Sequence, residues 1–90
     1  VKKMKHMYDF KLVCRCPNDK SVNIYDVEIK SDETIEVEEF FKIQNRIYNQ
    51  FMFQEDLFEL LKEYCNKLGS YNSQKVQVVG YHNGVKVITK

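Results

Sequence analysis

The chain has 90 residues, enough for one domain and too few for two cores. Apolar residues make up 43% and aromatics 13%, which excludes an intrinsically disordered chain. Fourteen basic against thirteen acidic side chains leave a net charge of +1, so neither nucleic acid nor a membrane surface is an expected partner. 

No apolar run approaches the ~18–20 residues of a membrane span. The start, Val1-Lys2-Lys3-Met4-Lys5-His6, has no apolar stretch of a secretory signal behind it. Residues 1–6 are read as a basic tail or an expression remnant, and residues 7–90 as a single domain. The cysteines are Cys14, Cys16 and Cys65, an odd number that argues against a disulfide framework and for reduced thiols in the cytoplasm.

Residues 7–15 alternate, with Tyr8, Phe10, Leu12 and Cys14 on one parity, as a half-buried strand does. Cys16-Pro17-Asn18-Asp19-Lys20 is turn chemistry. A second strand follows over 21–30, with Tyr25, Val27 and Ile29 on one face. Val22 and Ile24 have the opposite parity, so a bulge near Ile24 is expected. 

After the polar break Ser31-Asp32-Glu33-Thr34, the residues Val37, Phe40, Phe41, Ile47, Tyr48 and Phe51 recur at helical steps, interrupted by Gln44. They predict a helix over about 36–49 with Glu36, Glu38 and Glu39 in its first turn. Leu57, Leu60, Leu61, Tyr64, Cys65 and Leu68 predict a second helix over 54–68, opened by Gln54-Glu55-Asp56 and stopped by Gly69. Ser70 to Gln74 reads as a loop. Strands over 75–82 and 85–89 are joined by Asn83-Gly84, a type I′ hairpin signal that pairs His82 with Val85, Gly80 with Val87 and Val78 with Thr89. 

The order ββααββ predicts an α+β two-layer sandwich, an antiparallel sheet with both helices on one face. Open edge strands and a moderately apolar second face (Val13, Val79, Tyr81, Ile88) predict a homo-oligomer.

Cys14, Cys16, Cys65 and His82 include four potential zinc ligands, but the spacing is Cys-x-Cys without a second pair, so no metal and no other cofactor is expected. Cys16 stands where a strand gives way to a turn, the place for an accessible thiol. Glu55 projects from a helix start, where a carboxylate accepts hydrogen bonds from the N–H groups of a flat heterocycle. His82 is read as a rim residue. Residues 26–39 carry seven acids against Lys30 alone and form a candidate surface for a protein partner, with Glu33, Glu36 and Glu39 as its first residues.

Together these pieces resemble the tunnelling fold (T-fold), whose members assemble into multimeric barrels. Within it the chain is most similar, over roughly 14–88, to the nitrile reductases of queuosine biosynthesis. Cys16-Pro17 resembles the family's Cys-Pro, whose thiol attacks the nitrile. Glu38 resembles the Glu leading into the first helix, and Gln54-Glu55 the His-Glu pair whose Glu holds the base. Gly84 resembles part of an Arg-Gly-Gly. 

The chain departs from the family where Asn23 stands in place of the catalytic acid, which leaves Asp19 to substitute. It departs again where Glu39-Phe40-Phe41 replaces the Lys-Ser-Leu tied to the nicotinamide phosphate. General acid catalysis needs a positioned proton donor. The first expectation is therefore a small non-catalytic binding protein, a regulator or inhibitor acting through its surface. The alternative is a T-fold binder or enzyme for a purine- or pterin-like ring using Glu55, Gln54 and Glu38, with Cys16 and Asp19 as the catalytic candidates.

Overall fold

The computed structural model describes residues 5–68 and 74–90. Their elements run β1 (His6–Arg15), β2 (Val22–Ser31), α1 (Val37–Ile47), β3 (Gln50–Phe51), α2 (Gln54–Leu68), β4 (Gln74–His82) and β5 (Val85–Thr89). The five strands form one sheet in the order β3-β1-β2-β4-β5. Alternation sends Leu12 and Cys14, then Tyr25, Val27 and Ile29, then Val78 toward the helices. There they meet Phe40, Ile43 and Ile47 of α1 and Leu57, Phe58, Leu61 and Cys65 of α2. The other sheet face is open.

The predicted register of the second hairpin is the observed one, with His82 opposite Val85 and Val78 opposite Thr89. Asn83 (φ 52) and Gly84 (φ 81) take the left-handed conformations that this turn demands. The bulge expected near Ile24 is absent. Residues pair without interruption from His6 opposite Ser31 to Arg15 opposite Val22. Val22 and Ile24 instead stand exposed on the helix-free face, so β2 carries apolar residues on both faces rather than changing its parity.

Three further expectations are corrected. The sheet is mostly antiparallel, but β3 pairs in parallel with β1, Cys14 opposite Gln50 and Arg15 opposite Phe51. The first helix ends at Ile47 because Asn49 turns left-handed (φ 61) and its N–H donates to the Val13 carbonyl at 3.0 Å, which leads the chain into β3. Its buried face is Phe40, Ile43 and Ile47, whereas Val37, Phe41 and Tyr48 are exposed and Phe51 belongs to β3. Gln44 interrupts the apolar pattern because its Nε2 donates to the Lys11 carbonyl at 3.0 Å, satisfying the part of the β1 edge that β3 is too short to reach. 

The second helix has the predicted bounds. The Gly69 stop lies outside the described residues, as does the loop from Ser70 except Gln74, which opens β4. No helix among the described residues is long and apolar enough to cross a membrane.

Candidate functional site

Three chain reversals meet at one end of the sheet: the β1–β2 turn, the segment leading into α2, and the β4–β5 turn. Between them lies an open cavity of about 330 Å³, whose walls include Cys16, Asn18, Asn23, Tyr25, Phe53, Gln54, Glu55 and His82, with Met52 and Val87 completing the apolar part. That size falls within the ~300–1,000 Å³ of small-molecule sites.

The β1–β2 turn is a closed loop. The Cys16 N–H donates to the Ser21 carbonyl at 2.8 Å and the Lys20 N–H to the Cys16 carbonyl at 2.9 Å, with Lys20 at a left-handed φ of 63°. Asp19 organises this loop. Its carboxylate accepts from the Ser21 hydroxyl at 2.7 Å and the Ser21 N–H at 3.0 Å. These bonds, followed by one from the Cys16 thiol, hold Asp19 below the ordinary carboxylate range. The Asp19 carboxylate is thus anchored beside Cys16 and favoured in its ionised form. Cys16 is half-buried, while Cys14 and Cys65 are buried and their thiols are pushed up to about 11 by desolvation.

Gln54 is buried and saturated. The two N–H groups on its Nε2 are shared among the carbonyls of Val78 (3.2 Å) and Val87 (2.9 Å) and the Thr89 hydroxyl (3.1 Å). With the amide turned by these acceptors, Oε1 faces His82 Nε2 at 2.9 Å. Oε1 can only accept, so His82 donates from Nε2. Gln54 thus joins the start of α2 to β4 and β5 and orients the imidazole, with no donor left over for a ligand. 

Next along the helix, Glu55 is exposed on the cavity wall. Tyr25 forms the floor, its ring 6.0 Å from that of His82. Burial pushes its hydroxyl above the usual tyrosine range, as do the nearby Cys14, Cys16 and Glu55, while a hydrogen bond with Asn23 partly offsets this. Gly80 leaves the space that these side chains occupy: a Cβ there would lie 2.6 Å from both Gln54 Oε1 and the Tyr25 ring.

The structure thus brings Cys16, Gln54, Glu55 and His82 together. Glu38 is not among the lining residues; it is exposed in the first turn of α1. Glu33 and Glu36 are exposed beside that helix start. Glu39 is half-buried and accepts from the Tyr64 hydroxyl at 3.0 Å and the Lys42 ammonium at 3.2 Å. The Tyr64 bond, then Lys42, holds its carboxyl below the ordinary range. 

Asn23, named from the resemblance as standing in place of the catalytic acid, does line the cavity, whereas Tyr25 and Phe53 were not singled out from the sequence as site residues. The parity of β2 is the signal for Tyr25, because Asn23 pairs with Cys14 and shares its face with Tyr25. Among the described residues no three His, Cys, Asp or Glu side chains gather as metal ligands would.

No protein-family model matches the sequence, and no curated protein matches it. Among solved structures the chain is similar to the archaeosine synthase QueF-Like in the apo form. The TM-score is 0.77 and the identity 23%, with 93% of this chain and 87% of that one covered. At that identity the likeness shows the fold: the chain has the T-fold architecture.

Proposed function

We propose that this T-fold protein binds a flat nitrogen heterocycle of the purine or pterin class in the cavity between Cys16 and Glu55, and binds it without reducing it. One observation carries the reading: the exposed Glu55 carboxylate and the Cys16 thiol line the same cavity as the rings of Tyr25 and Phe53. A carboxylate accepts paired N–H groups from an amino-substituted ring, and the apolar walls cover the ring faces. Binding without turnover is supported by the wall chemistry. Asn23 has no proton to give, Asp19 is held ionised, and no Lys or Arg among the lining residues would grip the phosphate of a nicotinamide.

Calorimetric titration with guanine, a 7-deazaguanine and pterin tests this. At least one ring binds, and Glu55→Gln weakens it by about tenfold or more, the worth of a charged hydrogen bond. Absence of heat with all three rings, or equal affinity in Glu55→Gln, overturns the reading.

A second reading, a protein partner at the acidic start of α1, is favoured by one feature. Glu36 borders the exposed Val37 and Phe41, an apolar patch with a charged rim. The triple substitution Glu33→Lys, Glu36→Lys and Glu39→Lys then loses any protein that co-purifies with the wild type, and retention of that protein overturns it.

A further inference from the structure

The net charge of +1 hides a separation of charge along the molecule, which measures 50 Å in its longest direction. At the end of the sheet remote from Cys16, the strand register sets Lys30 directly opposite Lys75, while Lys5 precedes β1 and Lys90 follows β5. Three grooves adjoin there. One of about 510 Å³ is lined by Lys5, Lys30 and Lys75. The next, about 280 Å³, has Lys30, Lys75 and Lys90. The third, about 290 Å³, has Lys62, Lys75 and Lys90. Lys75 lines all three, so they form one track from α2 across the ends of β5, β4 and β2 to β1. Strand spacing makes it roughly 15–20 Å long.

Among the described residues two acids lie on the track, Glu28 and Asp32. Glu28 is engaged by Lys30 at 3.6 Å. Lys5, Lys62, Lys75 and Lys90 make no ion pair with a described residue, and Lys62 rests over the Phe58 ring at 5.4 Å. Like charges directly opposed on neighbouring strands destabilise a sheet. The register thus sets Lys30 and Lys75 side by side with one carboxylate, Glu28, against them, and an anion would offset the remaining like charge. 

We infer that this track binds a linear chain of phosphate groups. Lysine ammoniums act on phosphates as point charges without the fixed fork of arginine. A row of them matches a repeating anion, and among the described residues no exposed aromatic ring on the track reads bases. Among the described residues Met7 is the one exposed large apolar side chain lining it, too little for the insertion face of a membrane-surface site. The chain of phosphates is that of a nucleic-acid strand or of inorganic polyphosphate. The track stands about 30 Å from the Glu55 cavity, the length of β1, and is independent of it.

Fluorescence anisotropy with a labelled oligouridylate, from about 50 to 200 mM salt, tests the inference. The four lysines that make no ion pair with a described residue predict that log K falls against log salt with a slope of about −3 for a single strand. Lys75→Glu is expected to cost at least about tenfold, because it removes a contact and adds a repulsion. Lys86→Glu, an equal charge change on β5 off the track, is expected to cost much less. Inorganic polyphosphate competes in a second arm: displacement of the oligonucleotide identifies the shared phosphate chemistry. Binding of polyphosphate alone also supports the site and names that source. Equal losses in the two variants reduce the effect to net charge and overturn the inference, as does failure of both probes to bind. Circular dichroism confirms that each variant is folded.

Discussion

Gly80 is the position where one missing side chain decides the packing of the site. Its absent Cβ leaves room for Tyr25 and for Gln54 Oε1, so Gly80→Ala is expected to destabilise the fold by about 1–3 kcal/mol. In a domain of this size that lowers the melting temperature by roughly 4–8 °C per kcal/mol, readable by thermal denaturation. 

The thiols divide by environment in the same way. Cys14 and Cys65 are held neutral by burial, at about 11 against an ordinary value near 9. The folded state keeps their protons where the unfolded chain has lost them. Stability is therefore undiminished below about pH 9, falls between about pH 9 and 11, and levels above, by roughly 3 kcal/mol per thiol at most. Urea unfolding across that range measures it, and Cys14→Val with Cys65→Val flattens the slope. In the native protein a small alkylating reagent is expected to label Cys16 first. Sequence alone separated Cys16 from Cys14 by the turn that follows it. It did not disclose that Asp19 accepts from that thiol, because a five-residue turn with Lys20 left-handed has no periodicity to read.

At the scale of elements, α2 was legible to the residue because its apolar stripe and opening acids point to one answer. The first helix was less so, since apolar residues lie on both of its faces. The structure resolves them, and two substitutions check the assignment by chemical denaturation. Ile43→Ala is expected to cost about 2–5 kcal/mol, and Phe41→Ser to stay within about 0.5 kcal/mol of wild type. The two-residue β3 left no signal, because alternation needs more than one repeat. Gln54 is the joint between α2 and the second hairpin. Gln54→Leu keeps the bulk but removes the hydrogen bonds of this joint and leaves His82 Nε2 without its acceptor, and a loss of about 1–3 kcal/mol is expected. The same variant releases His82 Nε2, so the imidazole proton and carbon shifts move in NMR spectra while those of Ile43 do not.

For the whole molecule, the topology was legible because two hairpins flanking two helices admit few arrangements. The site was legible in part. Cys16, Asn23 and Glu55 came from short motifs, whereas Tyr25 and His82 reach the same cavity only through strand register, which pairs residues far apart in sequence. The lysine track was illegible for the same reason: Lys5, Lys30, Lys62, Lys75 and Lys90 are dispersed along the chain, and a sum over all charges cancels them. Self-association is expected through the sheet, with a second copy as the occupant. β5 is an edge strand with one neighbour, and Ile24, Tyr81 and Ile88 are exposed on the helix-free face. Sedimentation velocity is expected to show a multimer that Ile88→Lys shifts toward monomer; an unchanged monomer for both proteins rejects it.

The position of β1 also sets how the molecule answers to force. β1 lies between β3 and β2, whereas β5 is held along one side only, by five residue pairs with β4. Tension applied at Lys90 peels β5 from β4 one pair at a time, so little load is needed. Tension applied at His6 along the strand must shear the long pairing with β2 all at once. Pulled between those two points, which stand at the same end of the sheet, the molecule yields first where Thr89 leaves Val78, while the Cys16 turn at the opposite end stays closed.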